Sequence, residues 1–197
     1  MIDFYTNPRS RGLIAQWMLE EIGAPYTAHV LEYGTTMKSA EYLAINPMGK
    51  VPAIVHDGQI VTEVAAICTY LAEVFPEAGL APTAAERGAY YRWMFFGAGP
   101  VEAAVSNASL GVQVPADRKG SIGYGSLEDV VGALEARLQA SPFFAGDRFT
   151  AVDVYTGSQI GWGMMFGTLP KRPAFEAYWD SIKDRPAQLR MRAGAQG

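Results

Sequence analysis

The chain of 197 residues holds one cysteine, Cys68, and two histidines, His29 and His56. A single cysteine excludes an internal disulfide framework, a CxxC redox pair and a cysteine-based zinc site. The histidines are isolated and lack the spacing of metal ligands, so no metal is expected. Positive charge is also short: 16 Lys and Arg stand against 20 Asp and Glu, for a net charge of -4. No basic stripe forms, which excludes nucleic acid and an anionic membrane as partners. No apolar run approaches the roughly 18 residues that span a bilayer. The first residues, "MIDFYTNPRSR", have no apolar leader core. A soluble, cytoplasmic protein is expected.

What remains is an ordinary globular composition, 49% hydrophobic and 18% charged, enough for a real core in one medium domain or two small ones. "IDFYT" reads as a strand. "SRGLIAQWMLEEIGA" repeats apolar residues at Leu13, Ile14, Trp17, Met18 and Ile22 with helical spacing, Ser10 as N-cap and Gly23 as stop. "YTAHVLEY" alternates into a second strand, parallel to the first if the helix is a crossover. "KSAEYLAIN" is a short helix or turn. "VPAIVHDGQIVTE" predicts a hairpin around Asp57-Gly58, and "EVAAICTYLAEVF" a second amphipathic helix that places Cys68 in the core. The order βαβ then ββα predicts a mixed four-stranded sheet with helices on its faces. Residues 77–84 read as a linker.

No convincing strand follows. The spacing predicts a long aromatic helix bent at Gly97, Gly99 and Pro100, a loop over "ADRKGSIGYGS", then helices over "LEDVVGALEARLQA", "TAVDVYTGSQIGWGMMF" and "PAFEAYWDSIKDRPA". Thr150 and Asp153 form a capping signature ahead of the third of these. The fold class is therefore α/β followed by all-α, with domains at 1–76 and 85–197.

Pro52 interrupts the strand that "NPMGKVPAI" begins. It has no N–H to give a ladder. Two geometries fit: a trans proline on a plain edge strand, or a cis bond after Val51 that turns the Val51 backbone toward an open cleft. In the second, the Val51 N–H and C=O are available to an extended peptide, as in strand addition.

"NPMGKVPAIVHDGQIVTEVAAICTYLAE" resembles the glutathione-binding segment of glutathione S-transferases. "FYTNPRSRGLIAQWMLEEIGAPY" is similar to their first strand and helix, "FFAGDRFTAVDVY" to their buried capping segment, and "DRPA" to the end of their last long helix. The resemblance runs through almost the whole chain. It implies a thioredoxin-like domain joined to a helical one, a homodimer, and glutathione as cosubstrate. It also implies a small hydrophobic electrophile, held between the domains, as the partner. Val51, before Pro52, takes the role of pairing with the cysteinyl backbone of glutathione, and Lys50 lies where the glycine carboxylate is met. Glu63 takes the acid that meets the γ-glutamyl ammonium. Val64 departs from the pattern: relatives carry Ser or Thr there, and Val64 offers an N–H without a hydroxyl. A lost hydrogen bond to a charged group weakens binding by about 1.5–3 kcal/mol.

The implied reaction is attack by a thiolate, yet a thiol of pKa about 8.5 is only a few per cent ionised near neutrality. Lowering that pKa by about two units requires about 2.7 kcal/mol, which one hydroxyl donor and a helix N-terminus supply. Candidates at the start of the first helix are Ser10, Asn7 and Tyr5, with Arg11 as supporting cation. Aligned without gaps, Ser10 falls where beta-class relatives carry cysteine; a gapped alignment to serine-type relatives moves the position toward Asn7. Ser10 is also explained as the helix N-cap alone, and Tyr5 as core or cleft wall. Three functions stay open: conjugation to an electrophile, disulfide or peroxide reduction, and ligand binding without turnover.

Overall fold

The computed structural model describes residues 1–194. The chain divides into two compact units, one formed by Met1–Ala81 with the stretch from Asp184 onward, the other by Pro82–Lys183.

The first unit is built on a four-stranded sheet of β1 (Ile2–Thr6), β2 (Tyr26–Val30), β3 (Ala53–His56) and β4 (Gln59–Thr62), in the order β2-β1-β3-β4. β1 runs parallel to β2, with helix α1 (Gly12–Ile22) as the crossover, and antiparallel to β3. Gly23, in a left-handed conformation, ends α1 because it tolerates that region without a Cβ clash. β3 and β4 form the hairpin turned by Asp57 and Gly58, both at positive φ, as a tight hairpin turn requires.

Strand alternation sorts the residues to two faces. Ile2, Phe4 and Ile54 are buried with Ile14, Trp17 and Met18 of α1 and with Ile67, Cys68 and Leu71 of α3 (Val64–Val74). Burial pushes the Cys68 thiol far up, so it is an inert core residue. On the other face Met37, Tyr42 and Ala53 form a cluster, with Tyr5, Leu31, Ile45 and Val51 packed against it. Tyr42 comes from α2 (Ala40–Leu43), capped by the Ser39 hydroxyl.

In the second unit the aromatic helix is bent where its glycines and proline fall. α4 (Arg87–Phe96) passes into a π-helical turn, Gly97–Val101, containing Pro100, and emerges as α5 (Glu102–Ser109). Pro100 removes a backbone donor and the wider turn absorbs the loss. α6 (Leu127–Ala140) precedes α7 (Ala151–Phe166), which is buried nearly all round and starts at a complete capping box of Thr150 and Asp153. At Gly161 a side-chain carbon would run into the Trp179 ring, which explains how α8 (Pro173–Ile182) approaches so closely.

One expectation is corrected. "PAFEAYWDSIKDRPA" is two helices, α8 and α9 (Pro186–Gly194), because Pro186 lacks an N–H and disfavours helical geometry at Arg185. It serves instead as the first residue of a new helix. α9 packs on α1 in the first unit. Arg185 grips both carboxylate oxygens of Glu21 at 2.7 and 2.8 Å, and Arg190 reaches Glu20 at 2.9 Å.

Candidate functional site

Strand register decides which segments meet. Tyr5 near the end of β1 lies opposite Ala53 at the start of β3, and Ala53 lies opposite Thr62 at the end of β4. The segments that continue from these points, 6–11, 50–52 and 63–64, therefore emerge at one end of the sheet. All nine residues singled out in the sequence belong to this end.

The approach to β3 is tightly constrained. Asn46, 5% exposed, accepts from the Met48 N–H at 3.1 Å through Oδ1 and donates to the Lys50 carbonyl at 2.8 Å through Nδ2. The Tyr42 hydroxyl donates to the same carbonyl at 2.5 Å. Gly49 sits at φ +56, and a side-chain carbon there would meet the Met37 carbonyl at 2.6 Å, so only glycine fits this turn. Lys50 is exposed, Val51 half-buried and Pro52 buried. The Val51–Pro52 bond is cis, the second of the two geometries the sequence allowed.

Glu63 precedes α3 at φ 64 and ψ 119, a region costly for any residue but glycine, at about 1–3 kcal/mol. Its side chain makes no capping bond to the helix. Val64 is 9% exposed and presents only backbone to the helix N-terminus, whose first N–H groups have no intrahelical acceptor.

At the start of α1 the expectation that Ser10 is the N-cap is corrected by one residue. The cap position belongs to Arg11, in helical conformation and with no side-chain capping bond. Ser10 Oγ still accepts from the Gly12 N–H at 2.9 Å, and it donates to the Asn7 carbonyl at 2.6 Å. Its single proton is thus directed at backbone. Asn7, buried, donates to the Leu31 carbonyl at 2.7 Å and accepts from the Arg9 N–H at 2.9 Å, so it ties the loop after β1 to the loop after β2. A side-chain carbon on Gly12 would collide with the Thr6 hydroxyl, which keeps Gly12 side-chain free.

Tyr5 is a wall residue. Its ring stacks on His29 at 4.7 Å and lies 5.5 Å from the Tyr42 ring, and His29 pairs with Asp3 at 2.7 Å. Burial, then the Asp3 charge, raises the Tyr5 pKa, so its phenol holds its proton at neutral pH. Burial likewise pushes Tyr42 up to about 12. The residues that sequence reasoning missed are Tyr42, Asn46 and Gly12. Asn46 was visible in the motif "NPMGKVP", whereas Tyr42 carried only its helical spacing as a signal.

A four-stranded sheet in the order β2-β1-β3-β4, with the start of α3 beside the segment that leads into β3, is a thioredoxin-like sheet. Family models agree: "Glutathione S-transferase, N-terminal domain" matches residues 13–74 and "Glutathione S-transferase, C-terminal domain" residues 124–186. The chain is similar to Glutathione S-transferase GST-4.5 of Xanthomonas campestris pv. campestris, at 29% identity over 96% of this chain and 97% of that protein. Among solved structures it is similar to a glutathione transferase from Methylococcus capsulatus, at 28% identity and TM-score 0.81 over 100% and 99% of the two chains. It is also similar to the theta-class glutathione S-transferase of Xanthomonas axonopodis pv. citri with glutathione bound, at 27% identity and TM-score 0.77 over 96% and 95%. The chain belongs to the glutathione S-transferase family.

Proposed function

We propose that the protein is a glutathione transferase that joins the glutathione sulfur to small hydrophobic electrophiles. The observation that carries this reading is the convergence, at one end of the sheet, of Lys50-Val51-Pro52, the Glu63-Val64 helix start and the Ser10 turn. The relative from Xanthomonas axonopodis was solved with glutathione bound, which supports the same ligand here.

In this reading the Val51 backbone pairs with the cysteinyl unit, Lys50 meets the glycine carboxylate and Glu63 the γ-glutamyl ammonium. The Ser10 hydroxyl rotates its proton from the Asn7 carbonyl toward the sulfur, and Arg11 adds positive charge. The thiol proton leaves to solvent. The thiolate then forms the carbon–sulfur bond, and the leaving group departs with its electron pair. The protein acts as a cytoplasmic homodimer. A second reading, ligand binding without turnover, is favoured by the 2.6 Å bond that engages the Ser10 proton.

Glutathione titration followed by calorimetry and by thiolate absorbance tests both. Binding with a thiolate signal that Ser10→Ala reduces, with kcat falling about tenfold or more and affinity held, is the transferase result. Binding without a thiolate signal selects the second reading. Absence of binding at millimolar glutathione removes both.

A further inference from the structure

The Lys50 carbonyl receives two hydrogen bonds from two side chains that are themselves more than nine-tenths buried, Tyr42 at 2.5 Å and Asn46 at 2.8 Å. That carbonyl and the Val51 N–H are parts of one planar peptide unit. In a trans unit they point in opposite directions, and the only cis bond among the described residues is the next one along. Fixing the carbonyl toward the Tyr42 side therefore fixes the Val51 N–H toward the opposite side.

We propose that Tyr42 and Asn46 are positioning residues that clamp the Lys50–Val51 peptide so that the Val51 N–H is held ready for the ligand backbone. The proposal rests on the reading of Val51 as the residue that pairs with glutathione.

Two physical effects make the clamp more than packing. Both lone pairs of one carbonyl are taken, so the peptide plane has little freedom to rotate, and the ordering is complete before the ligand arrives. Hydrogen bonds accepted by a carbonyl also polarise its amide and strengthen the N–H on the other side. The two donors lie four residues apart and are tied together by the Asn46 N–H, which donates to the Tyr42 carbonyl at 2.8 Å. Tyr42 belongs to α2 and is wedged by the Tyr5 ring at 5.5 Å. Asn46 belongs to the turn that Lys38 closes through the Met48 carbonyl at 2.8 Å. Both side chains spend their donors on the Lys50 carbonyl, so their effect is on affinity through Val51 and not on the sulfur.

Two variants separate this role from simple support of the fold. Tyr42→Phe removes the donor and keeps the ring in its cluster. Asn46→Asp keeps the acceptor for the Met48 N–H and removes the amide donor. The full-length wild type and variants are titrated with glutathione by calorimetry and assayed for turnover with a chloronitroarene. Each variant is expected to raise the glutathione Kd and KM together by about three- to tenfold, with kcat at saturating glutathione retained. The double variant should lose less than the product of the singles, because both donors serve one carbonyl. A lowered Tm with unchanged Kd in the variants overturns the clamp and leaves the transferase reading standing. Wild type that binds no glutathione overturns both. If Tyr42→Phe fails to fold, an unchanged Kd in Asn46→Asp alone overturns the proposal.

Discussion

Asp153 is fully buried, and four donors converge on its carboxyl: the Phe144 and Thr150 N–H groups and the Tyr178 hydroxyl, each at 2.9 Å, and the Thr150 hydroxyl at 3.2 Å. Burial nevertheless dominates and pushes its pKa from 3.8 up to about 6, since desolvation disfavours the charged form. A carboxyl whose folded pKa is raised contributes stability below its unfolded pKa and loses it as pH rises through the folded one. The window here runs from about pH 4 to about pH 6, and the size is on the order of 3 kcal/mol. Asp153→Asn is expected to be less stable at every pH, because its amide turns a donor toward the Thr150 or Phe144 N–H. The deficit should be larger near pH 4 than near pH 7, where the wild type bears the buried charge. Urea unfolding of both proteins at the two pH values checks this, and a deficit constant with pH would refute it. The capping pair was legible as Thr150-x-x-Asp153, but not the two further donors, which arrive from Phe144 and Tyr178 by tertiary packing.

Helix and strand periodicity, which reflects only local geometry, was enough to place β1 through β4, α1 and α3 close to where they lie. The hairpin at Asp57-Gly58 and the bend at Gly97–Pro100 were readable for the same reason: each needs residues of special backbone freedom. The break before Pro186 is marked by the proline itself, but the change of packing partner beyond it was not readable, because no local pattern says that α9 packs on α1. α9 shares the first unit with α1, held by the Arg185 pair on Glu21, whose side chain is 7% exposed. The Trp17 indole N–H donates to the same carboxylate at 2.9 Å. Arg185→Ala leaves Glu21 with a neutral donor in place of a bidentate cation. It should destabilise the protein by about 1–3 kcal/mol. Glu21→Gln with Arg185→Ala should recover part of that loss, since no charge is then stranded. Thermal unfolding of the single and double variants reads the difference, and equal losses in both would argue against a buried-pair mechanism.

At the scale of the whole molecule, a net charge of -4 opposes an anionic peptide, while the proposed site offers Lys50 as an exposed cation. Magnitudes decide between them. The net charge is distributed over the surface, and its field is screened beyond about 8 Å at physiological salt. A single ion pair at about 4 Å is worth about 1 kcal/mol in a fully aqueous dielectric and up to about 4 at the effective dielectric near a protein surface. The local attraction therefore wins, and added salt should weaken glutathione binding in the wild type. Removing Lys50 should leave the weaker attraction of Arg11 against the diffuse repulsion, which salt relieves. Lys50→Ala is thus expected to bind glutathione more weakly at low salt, with a shallower salt dependence than the wild type. Titration of both proteins at about 20 and about 300 mM salt, either side of the physiological Debye length, reads the slopes. A wild-type slope that Lys50→Ala leaves unchanged would place the anion-binding charge elsewhere on the chain.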